Sequence, residues 1–288
     1  MIHHAQFANL ARTMLPKLGI IAGGGKLPLN IISECKRIKR PYFVIALKGH
    51  AAPETVIDTP HIWSRLGAAG KTVAMLHEQR VIELVMVGSV ARPSLFQLCP
   101  DFWAIKFFTR TGVGNKGDDR LLQALIKALE SKEGFRIVGA HTILPSLLAP
   151  VGVYGDIKPS ELEMRNIKIA WDAALLLGRR DIGQAVITRA GVVVAEESSR
   201  GTAAMIKDII PASDSSRSGV LVKISKPGQE KRADLPTIGP DTIAQAANAG
   251  LAGIAIEAGN TLILDKSETI NCANAANIFI IGKSNGDE

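Results

Sequence analysis

Cysteine and aromatic residues are scarce in this chain of 288 residues. The three cysteines, Cys35, Cys99 and Cys272, are odd in number and far apart, which argues against a disulfide framework and for a reducing compartment. Aromatic residues make up 5% of the sequence, while alanine, isoleucine, leucine and valine are abundant. This composition favours an α/β interior over a β-sandwich.

Long apolar segments are also lacking. No segment has the apolar length of a membrane span, and residues 1–16 contain His3, His4 and Arg12 but no apolar core of signal-peptide length. We interpret residues 1–16 as a flexible extension. The sequence has no zinc-ligand spacing, no RNP-like aromatic string and no continuous basic arm, which argues against a nucleic-acid partner. The expected location is the cytoplasm, with at most peripheral attachment to a membrane.

Positive charge is present in excess. The formal net charge is +7 and the pI is near 9.4, so the protein is expected to attract anions. Charge alone does not choose between a nucleotide, a nucleic acid and an acidic lipid surface. The length is sufficient for two domains, each with its own core.

The first half of the chain alternates short apolar runs with helical periodicity. The predicted elements are the strands Leu18–Ala22, Tyr42–Leu47, Val81–Val87 and Arg136–Ala140 and the helices Leu27–Lys39, Ala69–Gln79 and Asp118–Ser131. Their order predicts βαβ units, and therefore an N-terminal domain over residues 17–150 with a Rossmann-like, mostly parallel sheet. Ligands of such sheets bind beyond the carboxyl ends of the strands.

The segment 144–160 is rich in proline and glycine, so we place the domain boundary there and a C-terminal α/β domain over residues 161–288. The predicted elements are a helix over Glu161–Leu177 ended by Gly178, a hairpin of Ala185–Arg189 and Val192–Glu196, a helix over Thr202–Ile209, a strand over Val220–Ile224, a helix from Pro240 to about Gly250, and strands near Ile254 and Ile278. Thr202 fits a capping position or a ligand contact equally well.

Two glycine-containing segments follow predicted strands of the first half. They are Gly23-Gly24-Gly25, followed by Lys26 and Leu27, and Gly88, followed by Ser89 and Val90. Glycine lets a backbone approach a pyrophosphate closely, but Pro28 replaces the third glycine of the G-x-G-x-x-G pattern. A nucleotide loop and a tight turn therefore both remain open. Gly67–Thr72 is rejected as an ATP-binding loop, because Arg65 stands where that pattern requires glycine.

The most distinctive segment is the basic run that begins at Lys223 and leads into a helix at Pro240. It contains Lys223, Lys226, Gln229, Arg232, Asp234 and Thr237. Cations beside the exposed amides of a helix N-terminus favour a phosphate group. A solvated basic loop before an ordinary helix is the alternative.

Other polar residues have two interpretations each. Asp118 and Asp119 could bind a divalent metal ion or could be the acidic first turn of a helix. His141 could be an acid/base group or a hydrogen-bonded structural residue. Glu196 and Glu197 follow a hairpin strand and are expected to face water.

From Lys223 to Gly239 the chain resembles the UDP-2,3-diacylglucosamine pyrophosphatases of the DUF1009 type, which make a precursor of lipid A. Further similar stretches occur in the same order, and together they cover nearly everything after Lys17. They are Leu18–Pro28, Gly88–Pro93, Lys116–Leu122, Glu133–His141, Gly178–Gln184 and Gly201–Thr202.

The resemblance implies hydrolysis of a UDP-linked diacylated glucosamine to UMP and 2,3-diacylglucosamine 1-phosphate, with Asp234 as the catalytic residue. The implied substrate-binding residues are Gly23, Gly24, Gly25, Lys26, Leu27, Gly88, Ser89, Val90, Gln184, Thr202, Lys223, Lys226, Gln229, Arg232 and Thr237. It also implies a divalent cation, Mg²⁺, for which Asp234, Asp118 and Asp119 are candidate ligands. A homodimer in contact with the cytosolic side of the inner membrane is expected.

Two alternatives belong to other classes. A nicotinamide-dependent oxidoreductase would require an acidic residue at the end of the second strand, where the sequence has Leu47-Lys48-Gly49-His50. A nucleotide-sensing module without catalysis would use the glycine loop but would not need a carboxylate at Asp234.

Overall fold

The computed structural model describes residues 15–91, 98–112, 118–210 and 217–284, so most of the predicted extension over residues 1–16 lies outside the described part. The chain divides into two compact units between Leu144 and Pro145. Residues 145–150 therefore lie in the second unit, although the sequence placed them in the first domain. Leu148 forms a backbone bridge with Leu262, which explains this assignment.

The first unit is built on a sheet of five strands. In chain order they are β1 (Leu18–Ala22), β2 (Tyr42–Leu47), β3 (His61–Ser64), β4 (Glu83–Val87) and β5 (Arg136–Ile137). They lie in the order β3-β2-β1-β4-β5, and every pairing is parallel. β1 and β2 are buried along almost their whole length, as apolar strands of parallel sheets usually are. The prediction of a parallel, Rossmann-like sheet is confirmed.

The helices of the first unit are α1 (Leu27–Arg37), α2 (Ala69–Glu78), α3 (Phe102–Thr111), α4 (Asp118–Ser131) and α5 (Ala140–Ile143), with a 3₁₀ turn at Pro53–Val56. β3 and α3 were not predicted. The strand predicted over Arg136–Ala140 ends at Ile137, because the chain turns at Gly139 into α5.

The strand order creates a switch point between β1 and β4. From β1 the chain proceeds outward to β2 and β3, and it then returns to the other side of β1 to form β4. Connections on opposite sides of two neighbouring parallel strands leave a crevice at their carboxyl ends, where ligands of such folds bind. The glycine loop after β1 and the segment after β4 lie at this crevice.

The second unit is built on a sheet of six strands in the order β6-β13-β11-β9-β7-β8. These strands are β6 (Gly152–Tyr154), β7 (Ala185–Arg189), β8 (Val192–Glu196), β9 (Val220–Lys223), β11 (Gly253–Glu257) and β13 (Phe279–Lys283). The central strands β9, β11 and β13 are parallel, whereas β6, β7 and β8 join by antiparallel pairs. Two short strands, β10 (Thr237–Ile238) and β12 (Leu262–Ile263), form a separate parallel pair.

Helices pack on both faces of the second sheet, in two apolar clusters. One face carries α6 (Glu161–Arg179), and the other carries α7 (Gly201–Lys207), α8 (Pro240–Asn248) and α9 (Lys266–Ala275). α6 begins with a capping box, in which the side chains of Ser160 and Glu163 bind each other's backbone N–H. α8 begins at Pro240 as predicted.

Gly178 does not end α6, contrary to the prediction. The helix continues to Arg179, and a Cβ at Gly178 would lie 3.1 Å from Pro227 Cδ and 3.4 Å from Lys226 Cα. Glycine here favours close packing against the basic segment and does not form a left-handed turn.

No helix in the described part of the chain is long and apolar enough to cross a membrane.

Candidate functional site

The loops after β1 and β4 are joined by backbone hydrogen bonds. Gly23 N–H donates to Val87 O at 2.8 Å, Gly24 N–H donates to Ser89 O at 2.8 Å, and Ser89 N–H donates to Gly24 O at 3.0 Å. These bonds join the two chain segments past the carboxyl ends of the strands, where Gly24 and Ser89 form an antiparallel bridge. Carbonyl groups of the protein thus accept from the amides of Gly23 and Gly24.

Contact between the loops explains two of the glycines. A Cβ at Gly23 would lie 2.5 Å from Ser89 O, and one at Gly88 would lie 2.6 Å from Gly24 O. Gly25 differs, because it has a φ of +85° and no atom within 4 Å of its Cβ position. The chain turns there into α1, whose N-cap is the exposed residue Lys26. A ligand phosphate at this loop would therefore approach the segment from Gly25 to Leu27.

His50 is a residue of this region that the sequence did not point out as a candidate. It follows the end of β2, its carbonyl lies 3.1 Å from the Cβ position of Gly24, and its Nδ1 accepts from Ala91 N–H at 3.4 Å. Its position beyond a strand end was the available signal. The exposed residues Ser89 and Val90 lie beside it in the β4 loop.

In the second unit, strand pairing gathers chain segments at one sheet edge. Lys223 at the carboxyl end of β9 pairs with Ala185 at the amino end of β7 and with Ile256 near the carboxyl end of β11. The carboxyl end of β8 reaches the same edge through the pair Val186 and Glu196. Polar residues that adjoin these strand ends are therefore brought together.

Asp234 is held at this edge by Gln229, which is also bonded to Gln184. Its Oδ2 accepts from Gln229 Nε2 at 2.7 Å, and the same amide group donates to Gln184 Oε1 at 3.4 Å. Gln229 Oε1 in turn accepts from Lys226 N–H at 2.9 Å, and the Gln229 side chain is buried. The structure thus brings together three of the predicted site residues, Asp234, Gln229 and Gln184.

Glu197 is buried, which corrects the prediction that it faces water. Its Oε2 accepts from Gln184 N–H at 2.7 Å and its Oε1 accepts from the Thr202 hydroxyl at 2.6 Å. Thr202 is therefore a partner of Glu197 and not the cap of α7, whose N-cap position is Arg200. Glu196 is exposed, in agreement with its prediction.

The predicted cations have partners within the protein. Lys223 Nζ donates to Thr237 O at 3.0 Å, Lys226 Nζ donates to Asp181 Oδ1 at 2.8 Å, and the Arg232 guanidinium binds Glu230 through Nε at 2.8 Å and Nη2 at 2.9 Å.

Burial lowers the pKa of Lys223 below its usual value, although the nearby carboxylates Glu197 and Asp234 oppose that shift. The hydrogen bonds from Arg232 lower the pKa of Glu230. Lys223 therefore interacts electrostatically with both Glu197 and Asp234.

Glu257 holds the basic segment to the end of β11. Its Oε2 accepts from both the backbone N–H and the hydroxyl of Ser225, at 2.8 and 2.5 Å. Its Oε1 accepts from Asn260 at 2.9 Å, and Asn260 accepts from Lys231 Nζ at 2.8 Å. Two points of the loop that carries Asp234 are thus tied to one buried carboxylate. The sequence did not single out Glu257, and only its place at the end of an apolar strand could have indicated it.

The metal candidates are not brought together as a complete ligand set. Among the described residues, no group of three or more His, Cys, Asp or Glu side chains is arranged to hold a metal ion. Asp119 accepts a hydrogen bond from Gln123 on the next turn of α4, at 2.9 Å. The side chain of Asp118 lies outside the described part of the structure.

Comparison with known proteins covers both units. The model of the LpxI N-terminal domain matches residues 17–147, and the model of the LpxI C-terminal domain matches residues 150–281. The chain belongs to the LpxI family. A relative in the same family, UDP-2,3-diacylglucosamine pyrophosphatase LpxI of Caulobacter vibrioides, is 38% identical over 273 residues. The alignment covers 92% of this chain and 97% of the relative.

Among solved structures, the chain shows a remote likeness to glycinamide-RNase-transformylase T from Mycobacterium tuberculosis. The identity is 9%, the TM-score is 0.24, and the match covers 64% of this chain and 44% of that one. A likeness at this level carries no argument about function.

Proposed function

We propose that this LpxI-family protein hydrolyses the pyrophosphate bond of UDP-2,3-diacylglucosamine in lipid A biosynthesis, giving UMP and 2,3-diacylglucosamine 1-phosphate. The observation that carries the proposal is the 38% identity to the Caulobacter vibrioides pyrophosphatase across 97% of that enzyme. Both domain models of the family match in the expected order, which supports it.

Hydrolysis transfers the oxygen of a water molecule to one phosphorus atom and breaks that atom's bond to the bridging oxygen. Asp234 is the proposed catalytic residue, because its carboxylate lies at the sheet edge and is oriented by Gln229 at 2.7 Å. A carboxylate in this position can orient the attacking water. Lys223, Lys226 and Arg232 are proposed to offset the negative charge of the phosphates.

We propose that the first unit binds the nucleotide part of the substrate. Gly25, Lys26 and Leu27 lie at the switch point of the parallel sheet, where such folds bind ligands. The end of β2 continues with Lys48, and no acidic residue lies between it and His50 to bind a nicotinamide ribose. Hydrolysis of a nucleotide diphosphate is therefore favoured over an oxidoreductase.

Mg²⁺ is the proposed cofactor, and Asp234 fits it. Mg²⁺ is commonly bound by one or two carboxylates together with water and substrate phosphates. Gln229 occupies Oδ2 of Asp234, while Oδ1 makes no hydrogen bond to any residue in the described ranges. Mg²⁺ bound there would supply charge neutralisation at the phosphates.

Further parts of the proposal concern location and assembly. A diacylated substrate partitions into membranes, and a net charge of +7 favours contact with an anionic lipid surface, so we place the protein in the cytoplasm at the inner membrane. The proposed assembly is a homodimer, which light scattering of the purified protein tests.

The activity is tested by incubating purified protein with UDP-2,3-diacylglucosamine, with and without EDTA, and analysing the products by mass spectrometry. We expect UMP and the acylated sugar phosphate as products, and we expect both to be absent when EDTA is present.

Asp234→Asn is expected to bind substrate but to lose most turnover, because a catalytic carboxylate acts mainly in the transition state. Asp241→Asn is the matched control, since Asp241 is an exposed aspartate in the first turn of α8. Absence of UMP from the wild-type reaction would refute the proposed function.

A further inference from the structure

Glu197 is held in one orientation by two donors. The Gln184 N–H binds one carboxylate oxygen at 2.7 Å and the Thr202 hydroxyl binds the other at 2.6 Å. The backbone beside it is closely packed as well, since a Cβ at Gly183 would lie 2.7 Å from Glu197 O. The side chain of Glu197 therefore cannot rotate without losing both bonds.

The chemistry of these groups determines which of them gives the hydrogen. An ionised carboxylate has lone pairs but no hydrogen, so it can only accept. A hydroxyl has one hydrogen and two lone pairs. Because the single hydrogen of Thr202 is directed at Glu197, only lone pairs of its oxygen remain for any other partner.

Thr202 remains partly accessible at the same sheet edge as Gln184. A phosphate oxygen is itself an acceptor at neutral pH and cannot bond to lone pairs. A sugar hydroxyl or an amide N–H can donate to them. The polarity of Thr202 thus selects the class of group that it can recognise.

We infer that Glu197 sets the hydrogen-bond polarity of Thr202, so that Thr202 accepts a hydrogen bond from a hydroxyl or amide N–H of the acylated sugar and does not bind the phosphates. This inference rests on the proposed function and assigns a specificity role within that site. Glu197 is a positioning residue in it, because it acts on the substrate through Thr202.

Four variants test the role of the hydroxyl. Thr202→Val removes it at nearly constant shape, and Thr202→Ser retains it. Glu197→Gln reverses its polarity, because the carbonyl of the new amide must face Gln184 N–H and its NH₂ group must then donate to Thr202. Glu196→Gln is the matched control, since it makes the same change at the exposed neighbouring residue.

We expect Thr202→Val and Glu197→Gln to raise KM about 10-fold with kcat within about 3-fold of wild type, as for the loss of one ground-state hydrogen bond. Glu196→Gln should match the wild type, and Thr202→Ser should have a KM closer to that of the wild type than Thr202→Val has. Substrates in which one sugar hydroxyl is replaced by fluorine, or the amide N–H by an ester oxygen, identify the donor. For the wild type, one such analogue should bind about 10-fold more weakly than the parent substrate. For Thr202→Val, the same analogue and the parent substrate should bind equally well.

KM values of Thr202→Val and Glu197→Gln within 2-fold of wild type would overturn the inference, as would equal discrimination against every analogue by wild type and Thr202→Val. Failure of the wild type to hydrolyse the parent substrate would instead refute the proposed function.

Amide hydrogen exchange at Gln184 tests the anchoring of Glu197 without substrate. Protection should persist in Glu197→Gln and fall in Glu197→Ala, and unchanged protection in Glu197→Ala would show that Glu197 is not anchored as described.

Discussion

The contact between the β1 and β4 loops predicts a marked sensitivity at Gly23. A Cβ added there would lie 2.5 Å from Ser89 O, whereas ordinary contact begins at 3.4 Å, so the loops would have to separate by about 0.9 Å. The hydrogen bonds of Gly23 and Gly24 to the opposite loop, both 2.8 Å, would then exceed the usual length. The obstacle is a backbone carbonyl and cannot rotate away.

We estimate that Gly23→Ala lowers the free energy of unfolding by about 2–4 kcal/mol, combining overpacking with weakened hydrogen bonds. This corresponds to a fall in Tm of about 6–12 °C, which scanning calorimetry would measure. Gly25→Ala is the control for backbone conformation. Its φ is +85° but its Cβ position is open, so we expect a cost of about 1 kcal/mol.

A second substitution separates a side-chain clash from a backbone clash. The Cβ of Gly24→Ala would lie 2.9 Å from Ser89 Oγ and 3.1 Å from His50 O. Ser89→Ala should therefore restore part of the stability lost in Gly24→Ala, while it should not rescue Gly23→Ala. Equal rescue of both, or a Tm of Gly23→Ala within about 2 °C of wild type, would refute the argument.

Three further outcomes are expected. Burial raises the pKa of Cys35 to about 11, so the folded state retains a proton that the unfolded state loses above pH 9.0. The resulting stabilisation is present below pH 9.0 and is lost as the pH rises towards 11. Urea titrations over this pH range should show a smaller loss of stability in Cys35→Ala than in the wild type. Ser160→Ala should lower the free energy of unfolding by about 1 kcal/mol through loss of the α6 cap, whereas an unchanged urea midpoint would contradict this. Glu230→Gln should lower KM for the substrate in steady-state assays, because Arg232 must leave Glu230 to bind phosphate; an unchanged KM would count against that role.

Local periodicity predicted much of the first unit. α4 has the predicted bounds, Asp118–Ser131, because its apolar residues recur along one helical face. β1 and β2 were also predicted at their observed bounds, since short apolar runs bounded by polar residues are typical of parallel strands.

The errors arise where distant segments decide the structure. Gly178 has the sequence signature of a helix end, yet the close approach of Pro227 explains its presence within α6. Glu197 appeared to be a solvent-facing acid, because the sequence does not show that Gln184 and Thr202 would both donate to it. Glu257 was missed for the same reason, as its partner Ser225 lies 32 residues earlier in the chain, before β10 and α8.

The cluster around Asp234 was anticipated from the family resemblance, and its hydrogen-bond network was not. The sequence supplied the residue types of the basic segment, but the pairing of Lys226 with Asp181 depends on a contact with the end of α6. Such contacts follow from tertiary packing, which local pattern does not encode.

The anchoring of the Asp234 loop to Glu257 has a consequence for synthesis of the protein. Translation completes Asp234 before Glu257, so the bonds of Glu257 to Ser225 and Asn260 form only after β11 has been synthesised, whereas the partners Asp181 and Gln184 of the loop precede it in the chain. A nascent chain that already contains Asp234 therefore lacks the part of this support that comes from Glu257. The order of residues in the chain thus delays the complete support of the Asp234 loop until β11 has been synthesised.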